Sequence, residues 1–135
     1  MSDIDVLLFA NEAFYRAFAD RDADAMEAIW AEREPIVCLH PGWDLLTGRE
    51  AVLQSWAAII NNPNSPDITC HAAVAHTEGD IGVVVCYEEL GGQFLLATNI
   101  FIHEGSLWKM IHHHSGPTQG RPVIEASARD LDSLN

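Results

Sequence analysis

The sequence predicts an α+β fold in which three helices come first and a curled antiparallel sheet follows. Apolar residues recur at helical spacing in three segments before Asn62. From Ile68 onward the chain consists of β-type runs separated by glycine-containing turns. Its 135 residues, 48% of them hydrophobic, are enough for one domain with a substantial core. We therefore predict a single domain over residues 1–117 and a polar tail over residues 118–135.

Two helices are predicted at the start of the chain. The first begins after a cap at Ser2 or Asp3 and ends near Asp20. Its apolar stripe is formed by Ile4, Leu7, Leu8, Phe14, Tyr15 and Phe18. The second helix is capped by Asp22, and its inner face carries Ala25, Met26, Ile29 and Trp30.

A short strand and a third helix follow. The β-type run from Pro35 to His40 ends at a Pro-Gly turn, and Thr47-Gly48-Arg49-Glu50 opens the helix. The apolar stripe of this helix consists of Val52, Leu53, Trp56, Ile59 and Ile60. The Asn- and Pro-rich segment 61–66 ends it.

Four long strands complete the predicted fold. They are expected at Ile68–His76, Ile81–Leu90, Gln93–His103 and Leu107–Ser115. Gly91-Gly92 is typical of a two-residue hairpin turn, which sets Leu90 opposite Gln93. Side chains alternate between the two faces of a strand. One face is therefore shared by Val84, Cys86, Glu88, Ala97, Asn99 and Phe101.

The turn before the last strand leaves two registers open. A two-residue turn would place the even-numbered residues, with His112 and His114, on that shared face. A three-residue bulged turn would place the odd-numbered residues there instead, with Lys109 and His113. We favour the bulged turn because Gly105 suits its left-handed position. His113 then lies on the shared face, and the other two histidines lie on the opposite one.

Both faces of the strands are apolar. One face carries Phe94, Leu96, Ile100 and Ile102, and the other carries Leu95, Ala97 and Phe101. Helices on one side of the sheet leave the second face uncovered, and large exposed apolar patches usually mark interfaces. We therefore expect a homodimer through the outer sheet face, where Met110 is also predicted to lie.

Charge and composition exclude several classes of partner. The net charge is −13 with seven basic residues, so the chain lacks the cations that nucleic-acid binding requires. It has no apolar run long enough to span a membrane, and an acidic protein favours a neutral or cationic ligand. Three cysteines without metal-type spacing indicate reduced thiols. The first residues lack the basic region of a signal peptide, so we expect a cytoplasmic protein.

Several short motifs carry a resemblance to a known family. They are Phe14–Phe18 with Asp22–Met26, His40–Trp43, Gly48–Trp56, Ala97–Phe101 and Trp108–Pro117. In this order and spacing they resemble the nuclear transport factor 2-like (NTF2-like) superfamily, in particular its SnoaL-like members. The His-x-His-Ser-Gly end is also similar to the association domain of calmodulin-dependent kinase. The superfamily includes isomerases, dehydratases, epoxide hydrolases and assembly domains, so the fold alone does not assign a function.

The resemblance implies a cone-like, cystatin-like fold whose concave sheet face and three helices enclose a pocket. Similar proteins carry polar pocket residues at the positions of Glu88 and Asn99, so the face that these share is taken as the inner one. Candidate ligand-binding residues are Tyr15, Trp30, His40, Trp56, Cys86, Glu88, Asn99, Phe101 and His113. We expect an apolar pocket with an aromatic wall that binds a small organic molecule, with the Asn99 amide satisfied by pocket water.

Two other functional classes stay open. One is an acid–base isomerase or dehydratase that needs no organic cofactor, with Glu88, Asn99 and His113 as candidate catalytic residues. The Tyr/Asp pair of ketosteroid isomerases is not recognisable in this sequence. The other class is a purely structural dimerisation module, whose pocket would be filled by Trp and Phe side chains.

The three successive histidines also raise the question of a metal. His112 and His114 lie two apart on a strand, which suits a shared zinc ion with His103 as a third ligand. Pairs of strand histidines without a fixed third ligand are common without metal, so we expect neither a metal nor a cofactor. The alternative is that the histidines satisfy hydrogen bonds within the sheet.

Overall fold

The computed structural model describes residues 2–123, so Met1 and residues 124–135 of the predicted tail lie outside the described part. Within that part the chain forms three helices and six strands. The helices are α1 (Asp3–Ala19), α2 (Ala23–Ile29) and α3 (Arg49–Asn61). The strands are β1 (Val37–Leu39), β2 (Leu46–Thr47), β3 (Thr69–Glu78), β4 (Ile81–Leu90), β5 (Gln93–Glu104) and β6 (Leu107–Pro117). The predicted α+β order is confirmed.

Side-chain caps set the starts of the first two helices. Ser2 and Asp5 form a capping box at α1, in which each side chain accepts a hydrogen bond from the other residue's backbone N–H. The Asp22 carboxylate caps α2 by accepting from the Ala25 N–H at 3.0 Å. None of the helices in residues 2–123 is long and apolar enough to cross a membrane.

The six strands form one sheet in the order β2-β1-β6-β5-β4-β3. The four long strands are antiparallel, and the Gly91-Gly92 turn sets Leu90 opposite Gln93, as predicted. At the other edge, β1 lies parallel to β6, and the two-residue strand β2 was not predicted. Parallel pairing needs a long crossover connection, which α3 and the strands β3 to β5 supply between β1 and β6. The sheet is therefore mixed at this edge.

A β-bulge inside β6, rather than the preceding turn, sets the register of its second half. Glu104 lies opposite Leu107, so the turn contains two residues and the predicted three-residue turn is wrong. Further along the strand the register shifts, and Ile111 is the extra residue of a bulge. A Gly105 with positive φ suits the two-residue turn as well, so that glycine could not decide between the two registers.

The bulge changes which side chains of β6 face inward. Before it, Trp108 and Met110 are buried, and after it, His113 and Ser115 are buried. His113 therefore reaches the inner face as predicted. Two related predictions are wrong: Met110 is fully buried rather than on the outer face, and the Lys109 ammonium lies away from the inner face, where it donates to the carbonyl of residue 28 at 2.5 Å.

The helices cover the inner face of the sheet and leave the outer face open. The buried stripe of α1 includes Leu7 and Phe14, and α1 packs mainly on β3. On the opposite side Val74, Val85 and Leu96 are exposed in adjacent strands. We call the surface around these three residues the outer face.

Candidate functional site

A cavity of about 450 Å³ lies between α1, α3 and the inner face of the sheet. Its wall is largely aromatic, and polar side chains reach it from the sheet and from the segment that follows β1. The principal lining residues are Phe14, Tyr15, Phe18, His40, Pro41, Trp43, Trp56, Ile59, Glu88, Leu90, Leu95 and His113. We call this space the central cavity.

The structure brings most of the predicted site residues together. Five of the candidates line the central cavity, namely Tyr15, His40, Trp56, Glu88 and His113. Cys86 and Asn99 lie one layer deeper and contact the cavity residues through hydrogen bonds. Trp30 and Phe101 are fully buried in the core and do not line the cavity. The structure therefore places these two predicted ligand-binding residues in the packed core, next to the cavity residues but not in the cavity wall.

Glu88 places a buried carboxylate at the sheet side of the cavity. Its side chain is 2% exposed. Oε2 accepts from the Tyr15 hydroxyl and Oε1 accepts from the Ser115 hydroxyl, each at 2.6 Å. Burial disfavours the charged form and raises the pKa of Glu88, while the two donated hydrogen bonds oppose that rise. The result is a satisfied carboxyl group whose affinity for a proton is increased.

The Tyr15 hydroxyl joins Glu88 to the neighbouring strands. Because its hydrogen is donated to Glu88, its oxygen accepts from Asn99 Nδ2 at 3.1 Å and contacts the Cys86 Sγ at 3.2 Å. Burial, followed by the nearby Glu88 charge, raises the pKa of Tyr15 well above its ordinary value. Tyr15 is therefore a neutral donor at any physiological pH.

Asn99 fixes the proton of His113. Its Nδ2 donates to Asn11 Oδ1 at 2.8 Å and to the Tyr15 hydroxyl, which leaves Oδ1 as its acceptor. The contact of 2.6 Å between Oδ1 and His113 Nδ1 must then be donated by the histidine. The expectation that Asn99 is solvated by pocket water is wrong, because its side chain is fully buried and protein groups take its hydrogen bonds.

His113 is consequently a neutral imidazole with a known tautomer. Burial, and then the nearby His40, His112 and His114, lowers the pKa of His113 to about 3. With the proton on Nδ1, Nε2 carries a lone pair. The ring packs against Phe14 at a centroid distance of 5.0 Å.

His40 is fixed in the opposite tautomer. The Ser55 hydroxyl donates its one hydrogen to the Val52 carbonyl at 2.7 Å, so its oxygen accepts from His40 Nε2–H at 2.9 Å. Burial lowers the pKa of His40 to about 4. Nδ1 of His40 is therefore the nitrogen with the lone pair.

Both lone-pair nitrogens are open to the central cavity. Among the described residues, neither His113 Nε2 nor His40 Nδ1 has a hydrogen-bond partner within the protein. The buried side-chain atoms that lack any partner belong to Arg21 and to Trp30, Trp56 and Trp108, so the two nitrogens are not sealed in the protein interior. The two rings, whose centroids are 6.4 Å apart, both line the cavity. The cavity thus presents two hydrogen-bond acceptors.

Trp56 organises the aromatic wall. Its ring makes edge contacts with Phe14 at 5.2 Å and with Phe18 at 5.9 Å between centroids. It also contacts the His40 ring at 4.7 Å between centroids, and Trp43 packs on the same His40 ring, likewise at 4.7 Å. Trp43 is 49% exposed and stands at the mouth, whereas Trp56 is buried. Edge-to-face packing of this kind stabilises the aromatic wall.

The three histidines considered as zinc ligands do not extend the site. His112 and His114 lie on the outer side of β6, whereas His103 lies on the inner side and stacks on Trp108 at 3.6 Å. The proposed third zinc ligand therefore faces away from the other two. Within residues 2–123, no three His, Cys, Asp or Glu side chains are grouped so that they could hold a metal ion.

Sequence reasoning missed three members of the polar network: Asn11, Ser55 and Ser115. Asn11 is a polar residue on the apolar stripe of α1, one helical turn after Leu7. Ser115 lies two residues after His113 and so shares its face. A polar side chain on a buried face needs a partner, and that signal was available in the sequence for both residues.

The sequence matches a known domain family over most of its length. The model of the SnoaL-like domain family matches residues 8–118. F-box protein SKIP8 of Arabidopsis thaliana is 30% identical over 112 residues, which are 81% of this chain. The chain spans about half of that curated relative, 48% of its length.

Two solved structures are similar to this chain in both fold and sequence. A proposed dehydratase of the NTF2-like family from Streptomyces avermitilis is 30% identical, with a TM-score of 0.79 over 87% of this chain and 97% of that one. A proposed calcium/calmodulin-dependent protein kinase type II association domain from Thiobacillus denitrificans is 32% identical, with a TM-score of 0.73 over 82% of this chain and 93% of that one.

Proposed function

This chain belongs to the SnoaL-like domain family of the NTF2-like superfamily, and we propose that it is a homodimeric protein that binds a small, largely apolar organic molecule in the central cavity. The observation that carries this proposal is the cavity itself. It has room for a small ligand, an aromatic wall, and a few polar groups at fixed positions. Ligand sites commonly combine these three properties.

The proposal is tested by a small aromatic probe. Naphthalene added to the chain should raise its thermal unfolding temperature, because a ligand that binds the native state alone stabilises it. Trp56→Leu should remove this shift, since Trp56 forms the wall between Phe14 and His40. Leu53→Ala is the matched control, because Leu53 lies on the same helix and does not line the cavity. Equal shifts in the two variants would contradict binding in the cavity.

The dimer is proposed to form through the outer face. Val74, Val85 and Leu96 expose between 38% and 67% of their surface on adjacent strands. Apolar patches of this kind on a regular sheet commonly pair with a copy of themselves. The likeness to a proposed association domain is consistent with a surface that joins chains.

An acid–base enzyme is the second candidate, and the likeness to a proposed dehydratase favours it. A general base works best with a pKa near the working pH. His113 and His40, with pKa values lowered to about 3 and about 4, are weak bases. Glu88, whose pKa is raised, is the better candidate for moving a proton. Loss of a measured turnover in Glu88→Gln with unchanged probe binding would support this second function.

A purely structural dimerisation module is the third candidate. Such a module would need the outer face but not the central cavity. It predicts that probes of any chemistry leave the unfolding temperature unchanged, while the chain still forms dimers. The naphthalene experiment therefore separates the first candidate from the third.

A further inference from the structure

The two histidines that reach the central cavity offer it hydrogen-bond acceptors and no donors. His113 keeps its hydrogen on Nδ1 for Asn99, and His40 keeps its hydrogen on Nε2 for Ser55. Each ring therefore turns a lone pair toward the cavity. Since both rings are neutral, neither can supply a second N–H to a ligand.

The other polar groups in the interior of the cavity leave no donor exposed to it. The indole N–H of Trp56 is fully buried, and the Ser65 hydroxyl donates its hydrogen to the Ile59 carbonyl at 2.7 Å. The Glu88 carboxyl accepts hydrogen bonds, and the hydrogen of Tyr15 is already donated to it. Among the described residues that line the cavity there is no Arg or Lys. The amide groups of Asn62 and Asn64 lie at the mouth, where both residues are exposed to solvent.

These features define the ligand chemistry that the interior can accept. A carboxylate or phosphate would meet a carboxyl group and two lone pairs without a compensating cation. A ketone or an ether would place its own lone pairs against the histidine nitrogens. A hydroxyl group, by contrast, can donate a hydrogen bond to one of these histidine nitrogens.

We propose, resting on the proposed function, that the central cavity selects neutral aromatic or aliphatic hydroxy compounds and binds their hydroxyl hydrogen at Nε2 of His113. The apolar body of the ligand lies against Phe14 and Trp56. Nδ1 of His40 accepts a second hydrogen, from a second hydroxyl of the ligand or from water.

Calorimetric titration of the full chain with three matched probes tests this selection. The probes are 2-naphthol, its methyl ether and 2-naphthoate. We expect 2-naphthol to bind roughly three- to tenfold more tightly than the ether, which corresponds to one neutral hydrogen bond. The naphthoate should bind more weakly than either. Binding of the ether or the naphthoate as tight as that of 2-naphthol would overturn the proposal but leave the proposed function intact. Failure of all three probes and of naphthalene would overturn the proposed function itself.

A variant tests whether the selection depends on Nε2 of His113. His113→Phe keeps an aromatic ring in the wall and removes Nε2, so the preference for 2-naphthol over the ether should fall to about onefold. His76→Phe is the control, since His76 is exposed on β3 away from the cavity, and it should retain the preference. If His113→Phe does not fold, the histidine ring-nitrogen NMR spectrum of the unmodified chain decides. Nε2 of His113 should resonate as an unprotonated nitrogen and shift when 2-naphthol binds, and an unchanged signal at saturation would refute the proposal.

Discussion

Truncation of Asn99 to alanine should strongly destabilise this protein. The amide makes three hydrogen bonds, to Asn11 Oδ1 at 2.8 Å, to the Tyr15 hydroxyl at 3.1 Å and to His113 Nδ1 at 2.6 Å. Its removal leaves the His113 N–H and the Asn11 carbonyl oxygen buried without partners. Each orphaned group costs about 1–3 kcal/mol, so we expect a loss of about 4 kcal/mol. That is a large fraction of the ~5–15 kcal/mol that stabilises a typical domain.

Urea unfolding at pH 7, followed by tryptophan fluorescence, measures this loss. The matched control is Thr98→Ala, because Thr98 directly precedes Asn99 on the strand and its half-buried side chain lies on the other face. The control should lose less than about 1 kcal/mol, as is usual away from buried networks. If Asn99→Ala loses no more than Thr98→Ala, the buried network is not formed as described, and the tautomer assigned to His113 loses its basis.

Three further predictions concern pH, the carboxyl group and the dimer. The free energy of unfolding should fall as pH decreases from about 6.5 toward 4, by about 2 kcal/mol per histidine at pH 5. In this pH range the unfolded chain binds protons at His40 and His113, whereas the folded chain does not, because burial lowers the pKa of both histidines. The raised pKa of Glu88 opposes this trend. A flat profile of stability against pH would contradict the assignment of His40 and His113 as neutral in the folded protein. Tyr15→Phe removes one of the two hydrogen-bond donors to Glu88, so it should raise the pKa of that carboxyl group further. Titration of the Glu88 carboxyl ¹³C signal measures this change, and an unchanged pKa would contradict the 2.6 Å hydrogen bond. Leu96→Lys should convert a dimer of about twice 14.9 kDa into monomers by light scattering, whereas a wild-type monomer would exclude the interface.

Much of the fold could be predicted from the sequence because local signals agreed with the tertiary structure. The capping residues Ser2 and Asp22 stand where the helices begin. The Gly91-Gly92 turn fixes the register of β4 and β5, and that register alone sets Glu88 and Asn99 on one face. Strand parity is thus the step by which residues far apart in sequence were correctly grouped.

The parts that could not be predicted depend on long-range packing. The bulge at Ile111 has no glycine or proline to mark it, and it is required because Met110 and His113 must both face inward. The parallel pairing of β1 with β6 depends on a partner more than 70 residues away. Trp30 and Phe101 were predicted as site residues because the sequence shows that a side chain is buried but not whether a cavity lies next to it.

The four tryptophans allow one measurement to test the central claim. Trp56 and Trp43 line the central cavity, whereas Trp30 and Trp108 do not. Titration of ¹⁵N-labelled protein with 2-naphthol, with the indole N–H signals assigned by single Trp→Phe variants, reports on all four rings at once. We predict that the Trp56 signal moves most and the Trp43 signal moves next, while the other two stay in place. Equal shifts of all four signals, or no shift at a probe concentration near its solubility limit, would contradict a ligand site in the central cavity.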